Sequence, residues 1–269
     1  MSPVPLREVA DLARFGGKAV ALGHALRHGL PVPNGVALST DFVDATASGD
    51  ATAHAQLHDI ALHRPVAVRS SAIGEDGAAA SFAGQHLSVL HVRTHAHLTH
   101  AVREVHASGT AAAAIAYRAH LGVGGPPRMA VVVQEMVAAD RAGVLFTRHP
   151  VTGKDECVIE STWGLGEAVV NGRVTPDSYR VARDGRVLEQ RAGYKDVAIR
   201  PAEHGTAEVP VPDALIGAHS LEASHLARLT ALARQCEALL GAPADLEWAF
   251  EGDTLWLLQQ RPITKTRTR

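Results

Sequence analysis

Along the first third of the chain, hydrophobic spacing reads as helix over residues 6–30, interrupted by Gly16-Gly17. The second helical segment, Lys18 to His28, stops at Gly29 with Pro31 and Pro33 beyond it. Val36–Leu38 starts a short strand, and residues 41–64 read as one or two Ala- and His-rich helices. Pro65–Arg69 is an apolar strand running into Ser70-Ser71, followed by a small, Gly-rich stretch from Ala72 to Gln85. Leu87–Val92 alternates as a strand, residues 97–121 read as one helix, and Gly-Gly-Pro-Pro at 124–127 breaks the chain. Met129–Val133 is a buried-type strand that continues into Gln134-Glu135-Met136-Val137.

A second region opens near Asp140, which places a lobe boundary at 135–140: a first lobe over 1–137 and a second over 138–269 of one domain. Strands are expected at Gly143–Thr147 and Cys157–Glu160, the latter ending in the loop Trp163–Glu167. Tyr179–Ala182 and Val187–Arg191 suggest a hairpin over Asp184-Gly185. Over 220–240, Leu226, Leu229, Ala233, Cys236 and Leu240 share one helix face. The fold class this order implies is mixed α and β in two lobes.

The final hairpin, Leu246–Phe250 and Thr254–Leu258, carries chemistry. Side chains in a strand alternate faces, so Asp245 and Glu247 point one way while Leu246, Trp248 and Phe250 point the other. A three-residue turn, Glu251-Gly252-Asp253, sets Trp248 opposite Trp256 and Asp245 opposite Gln259. Asp245, Glu247, Gln259 and Arg261 then converge on one face, although Leu255 and Leu257 fall with them. A two-residue turn on Gly252-Asp253 would shift the register and scatter both sets. Two carboxylates and an amide oxygen are hard ligands of the kind Mg²⁺ takes beside substrate phosphates. An adjacent Arg can hold a phosphoryl group. Taken alone, the same face reads equally as a solvated surface with a cross-strand ion pair.

Composition narrows the classes. Hydrophobic residues make up 46% but aromatics only 4%, so the core must be mostly Ala, Val and Leu. A formal net charge of −2 offers no basic excess for nucleic acid or an anionic membrane. The two cysteines, Cys157 and Cys236, form no disulfide framework, zinc motif or redox motif, which suits a reduced cytoplasm. The N-terminus has no secretion-signal pattern and no apolar run reaches the roughly 18–20 residues of a membrane span. Lysine is scarce: Lys18, Lys154, Lys195 and Lys265, against many arginines.

Three further segments suit a nucleotide. Pro65–Gln85 delivers Arg69 and two serines into a Gly-rich stretch, where small residues let backbone N–H groups approach phosphate oxygens. Lys18 follows two glycines at a helix start, a place for an anion, though the pattern is not a P-loop. Gln134–Val137 can offer backbone groups to an adenine edge, and Glu160 can accept from ribose hydroxyls. Each of these segments alone has a plain structural reading: a surface loop, a helix start, a strand ending at a hinge.

Their order is more specific than any one of them. GGK, GLPVPNGVALST, AVRSSAIGEDGAAASFAGQ, VVVQEMV, AGVLFTRHPVTG, IESTWGLGEAVVNGRVTPDSY, GYK and DLEWAF…LWLLQQRPIT together resemble the ATP-binding domain of phosphoenolpyruvate synthase, pyruvate phosphate dikinase and rifampin phosphotransferase, from about residue 12 to 264. The resemblance implies a two-lobed ATP-grasp fold with the nucleotide cleft between lobes, and ATP with Mg²⁺ as cofactors. It implies Lys18, Arg69, Arg148 and Arg261 at the phosphates, Gln134, Glu135, Met136 and Val137 at adenine, and Glu160 at ribose. It gives Asp245, Glu247 and Gln259 to Mg²⁺.

Two departures stand out. No Gly/Ser-rich motif leading to a carrier His-Ala is found, and the chain ends where the family's ATP domain ends. The expected activity is therefore a small-molecule kinase, with two alternatives: the ATP-activating subunit of a split enzyme that phosphorylates a His on a separate carrier protein, or a non-catalytic ATP sensor. His149, in FTRHP, stands where the family commonly has an acid, and could act as an acceptor or base. His91, His95, His97 and His100 read as solvated residues rather than metal ligands.

Overall fold

The computed structural model describes residues 2–73, 87–110, 128–203 and 205–263. The Gly-rich stretch at 74–85, the end of the helix expected over 97–121 and the break at 124–127 lie outside the described residues. The class is the mixed helix-and-sheet one expected. The chain divides into two compact units: Met1–His28, Pro33–Met136 and Glu203–Gly205 in one, Gly29–Val32, Val137–Ala202 and Thr206–Arg269 in the other.

The first unit is built on a five-stranded sheet of order β1-β2-β5-β3-β4. Its strands are β1 (Val4–Pro5), β2 (Gly35–Leu38), β3 (Val66–Ala72), β4 (Ser88–Val92) and β5 (Met129–Glu135). Helices α2 (Thr40–Ser48), α3 (Ala51–His58) and α4 (His95–Gly109) cover one face, where Val66, Val68, Met129, Val131 and Val133 meet Phe42, Leu57, Leu98 and Val102. Each such fully buried side chain contributes about 1.5–3 kcal/mol. Helix α1 (Leu12–Arg27) lies against the other face, bearing on β3 and β5. With both faces covered, β5 is apolar almost throughout, which is why it reads as a continuous hydrophobic run.

Helix α1 is kinked at Gly16, whose φ of 75° and ψ of 170° leave the helical region. Ser71 heals the break: its hydroxyl donates to the Phe15 carbonyl at 2.7 Å and accepts from the Ala19 N–H at 3.1 Å. The strand thus runs past Arg69, where its apolar part was expected to end, and Ser70 and Ser71 are buried strand residues. A Cβ at Gly16 would lie 2.2 Å from the Ser71 carbonyl oxygen. Gly16→Ala should therefore lose roughly 2–4 kcal/mol, from left-handed strain plus the displaced contact, measured by urea unfolding.

The second unit is a six-stranded antiparallel sheet of order β13-β12-β6-β7-β8-β9. Its strands are β6 (Arg141–Phe146), β7 (Glu156–Trp163), β8 (Asp177–Ala182), β9 (Val187–Arg191), β12 (Ala244–Glu251) and β13 (Thr254–Pro262). A separate hairpin, β10 (Val197–Pro201) with β11 (Thr206–Pro210), escaped the sequence reading. So did the short helix α5 (Glu167–Val170). Helix α6 (Ala223–Leu240) packs on the sheet through Leu226, Leu229, Ala233 and Cys236, all buried as its periodicity predicts. Among the described residues no helix is long and apolar enough to cross a membrane.

Candidate functional site

The β12–β13 hairpin closes differently from the sequence expectation. Glu251 pairs with Thr254, leaving a two-residue turn, Gly252-Asp253, with Gly252 at φ 56°. Glycine first in a two-residue loop suits the twist of antiparallel strands. Phe250 then faces Leu255 and Trp248 faces Leu257, all four buried. Leu255 and Leu257 belong to the apolar face, and Trp256 moves to the polar side opposite Ala249. The predicted scatter of the polar set does not follow, because the register shifts between Glu247 and Trp248, and Leu258 is absorbed as an extra residue. Beyond this bulge Glu247 faces Gln259 and Asp245 faces Arg261.

Registers across the sheet extend this face. Glu247 pairs with Val144, Val144 with Glu160 and Glu160 with Ser178. One row therefore reads Gln259, Glu247, Val144, Glu160, Ser178 across β13, β12, β6, β7 and β8. Glu247 and Glu160 stand two strands apart, roughly 10 Å at ordinary strand spacing. Glu160 sits within β7, which continues to Trp163, rather than at a strand end. The next row reads Arg261, Asp245, Phe146 across β13, β12 and β6.

Electrostatics on this face are unbalanced. Burial pushes the Asp245 carboxyl above its ordinary range, the Arg261 guanidinium pulls it back, and Glu247 adds to the rise. Arg261 reaches Asp245 Oδ2 through Nε at 2.8 Å and Nη2 at 2.7 Å. Burial likewise raises Glu160. A cation would relieve such carboxylates, and the hard oxygens of Glu247, Gln259 and Asp245 fit Mg²⁺ by type. Among the described residues no group of three or more His, Cys, Asp or Glu could hold a metal, so such an ion would depend on Gln259 as well.

In the first unit, pairing of Arg69 with Val132 and of Ala67 with Gln134 puts Arg69 and Gln134 on one sheet face. This is the α1 side, where Ser71 meets Phe15 and Ala19. Lys18 is only 6% exposed, and its Nζ donates to the Ser70 carbonyl at 2.6 Å. Gln134 is buried, with its side-chain amide 3.4 Å from the Pro33 carbonyl. The backbone N–H groups of Glu135 and Met136 are taken by the Asn34 and Pro65 carbonyls, both at 2.8 Å. They are not free for adenine. An antiparallel pair ordinarily returns a second bond, but Pro65 has no N–H, so the Met136 carbonyl receives none from it. Val137 is buried at the start of the second unit's main segment.

Arg148 lies in the loop between β6 and β7, 42% exposed, with Nη2 3.4 Å from Asp155 Oδ1. Among the clustered histidines, His100 is exposed as expected, while His91 and His95 depart from expectation. His91 is buried at φ 58°, and His95 bonds the Ile60 carbonyl at 2.9 Å and stacks on His58.

Two features passed unnoticed in the sequence. Glu167, half-buried at the start of α5, is raised by burial and accepts from Thr206 at 3.4 Å. Asp177 and Lys195 form an ion pair of 2.5 Å, both fully buried. The scarcity of lysine was a signal for Lys195 as much as for Lys18.

Carboxylates, an amide and an Arg share one face of the second unit's sheet, a donor set of the hard-oxygen type that suits a divalent ion. The chain matches the family described as "Pyruvate phosphate dikinase, AMP/ATP-binding domain" over residues 46–269, and it belongs to that family. It is 36% identical to the prodigiosin synthesizing transferase PigC of Serratia marcescens, over 93% of this chain and 32% of that one. A probable phosphoenolpyruvate synthase of Methanothermobacter thermautotrophicus is 43% identical over 74% of this chain and 29% of its own. The rifampicin phosphotransferase of Streptomyces sviceus is 31% identical over 95% and 35%. The chain spans about a third of the length of these curated relatives.

Proposed function

We propose that this chain binds ATP with Mg²⁺ and transfers a phosphoryl group to a small-molecule acceptor. The observation that carries the reading is the row Gln259–Glu247–Glu160 beside the Arg261–Asp245 pair, acid, amide and base on one face of one sheet. Family membership supports the nucleotide.

In this reading Glu247, Gln259 and Asp245 hold Mg²⁺, which would neutralise charge on the phosphates. Asp245 keeps Arg261 extended across the strand pair, so the guanidinium needs little reorganisation to meet a moving phosphoryl group. Lys18 and Arg69 hold phosphate oxygens, with Arg148 as a further cation. Glu160, kept proton-hungry by burial, accepts from ribose hydroxyls. At the adenine edge, the Met136 carbonyl opposite Pro65 is the acceptor, and Gln134, Glu135 and Val137 border it.

Phosphorus NMR of the protein with ATP and Mg²⁺, with and without candidate acceptors, tests this. ADP plus a phosphorylated small molecule is the expected result. AMP plus phosphate that appears only with a His-bearing partner protein would mean a split enzyme instead. Tight ATP binding without turnover in any mixture would mean a sensor.

A further inference from the structure

In the loop between β6 and β7, His149 makes both backbone and side-chain closures. The His149 N–H donates to the Lys154 carbonyl at 3.1 Å, and the Gly153 N–H donates to the His149 carbonyl at 2.9 Å. The His149 ring completes the closure: Nδ1 lies 3.3 Å from the backbone nitrogens of both Val151 and Thr152. An imidazole nitrogen facing two N–H donors must be an acceptor, so the ring proton sits on Nε2. Nδ1 is thereby committed to the loop's own backbone and is not available as a base toward a ligand.

The neighbouring residue gains from this. Arg148 Nη2 reaches Asp155 at the far side of the loop, and Asp155 is also held by Arg183 Nε at 2.8 Å. Arg148 Nε is buried and has no hydrogen-bond partner among the described residues. The guanidinium is anchored at one end and has an unused donor at the other.

We infer that His149 is a positioning residue for Arg148, its Nδ1 capping the 149–153 turn so that the Arg148 guanidinium is held for an anionic phosphate ligand. The ligand part rests on the proposed ATP function; the capping part does not. The interaction is the one an Asp side chain makes when it accepts backbone N–H groups two and three residues on. The inference therefore demands that Asp replace His and that Ala fail.

The test uses the full chain labelled with ¹⁵N. Wild type should show the Nε2–H tautomer at neutral pH. His149→Ala should lose about tenfold of the exchange protection at the Val151 and Thr152 amides and should move the Arg148 Nε resonance. It should also raise KM for ATP about five- to tenfold with kcat within about twofold, as for lost ground-state binding. His149→Asp should restore all three. An Nδ1–H tautomer, an unchanged Arg148 resonance in His149→Ala, or failure of His149→Asp to restore would each overturn the inference. Should wild type not turn over ATP, the functional reading falls, and the tautomer, exchange and Arg148 resonances still decide the positioning role.

Discussion

Glu247→Gln is expected to lower kcat/KM for ATP turnover about a thousandfold, some 4 kcal/mol of transition-state stabilisation. The substitution keeps the size of the side chain and its place opposite Gln259, and removes only the charge. Because Glu247 is on the polar face of β12, away from Trp248 and Phe250, the core is untouched. The melting temperature should stay within about 2 °C, as for surface changes outside packed contacts. The Mg²⁺ concentration for half-maximal rate should rise while binding of metal-free ATP is unaltered. Calorimetric titration and phosphorus NMR on the same preparation measure both. Wild-type turnover in Glu247→Gln would remove this carboxylate from the metal set.

The second large effect concerns stability. Lys195→Met should destabilise the chain by about 3–5 kcal/mol, because it leaves the Asp177 carboxylate buried without its counter-ion. Asp177 also accepts from the Gly193 N–H at 2.8 Å and from the Ser220 N–H and hydroxyl at 2.7 Å. Burial alone would raise this carboxyl; Lys195, Gly193 and Ser220 outweigh burial and hold it below the ordinary range. The sign follows. A folded-state value below the unfolded one gives stability present above about pH 4, the ordinary carboxylate value, and lost as pH falls through the depressed value. Wild type should therefore lose stability in acid more steeply than Asp177→Asn. Adding Lys195→Met to Asp177→Asn should cost less than the sum of the single changes. Urea unfolding from pH 7 to pH 3 measures these outcomes, and full additivity would dismiss the pair as a coupled unit.

Periodicity exposed the large elements because burial enforces it. The face of α6, the run of β5 and the alternation of β12 were all legible, since each meets a continuous apolar layer. Polarity hid the true end of β3: its apolar run stops at Arg69, and nothing local announces that Ser71 continues the strand and mends a kink 55 residues earlier at Gly16. The β10–β11 hairpin lies largely at the surface, with Arg200, Pro201, Ala207 and Glu208 exposed, so it lacks the alternation that would betray it. In the candidate site, the polar residues of the final hairpin were visible and their grouping was right, but the turn was not. A pattern of faces constrains only parity, and a two-residue turn plus one bulge has the parity of a longer loop. Lys195 was missed for a different reason: its partner Asp177 is 18 residues away, and no spacing rule links them.

The bulge at Leu258 separates two properties that a regular ladder ties together. Which residue faces which is decided by the count of residues on either side of the turn. How a strand is coiled at a given point is decided by where an extra residue is lodged. Near the turn, β12 and β13 are phased for Trp248, Phe250, Leu255 and Leu257; past Leu258 they are phased for Asp245, Glu247, Gln259 and Arg261. The hairpin is therefore two short ribbons in series, one answerable to the core and one to the proposed site. The aim of the second can drift over time without disturbing the packing of the first.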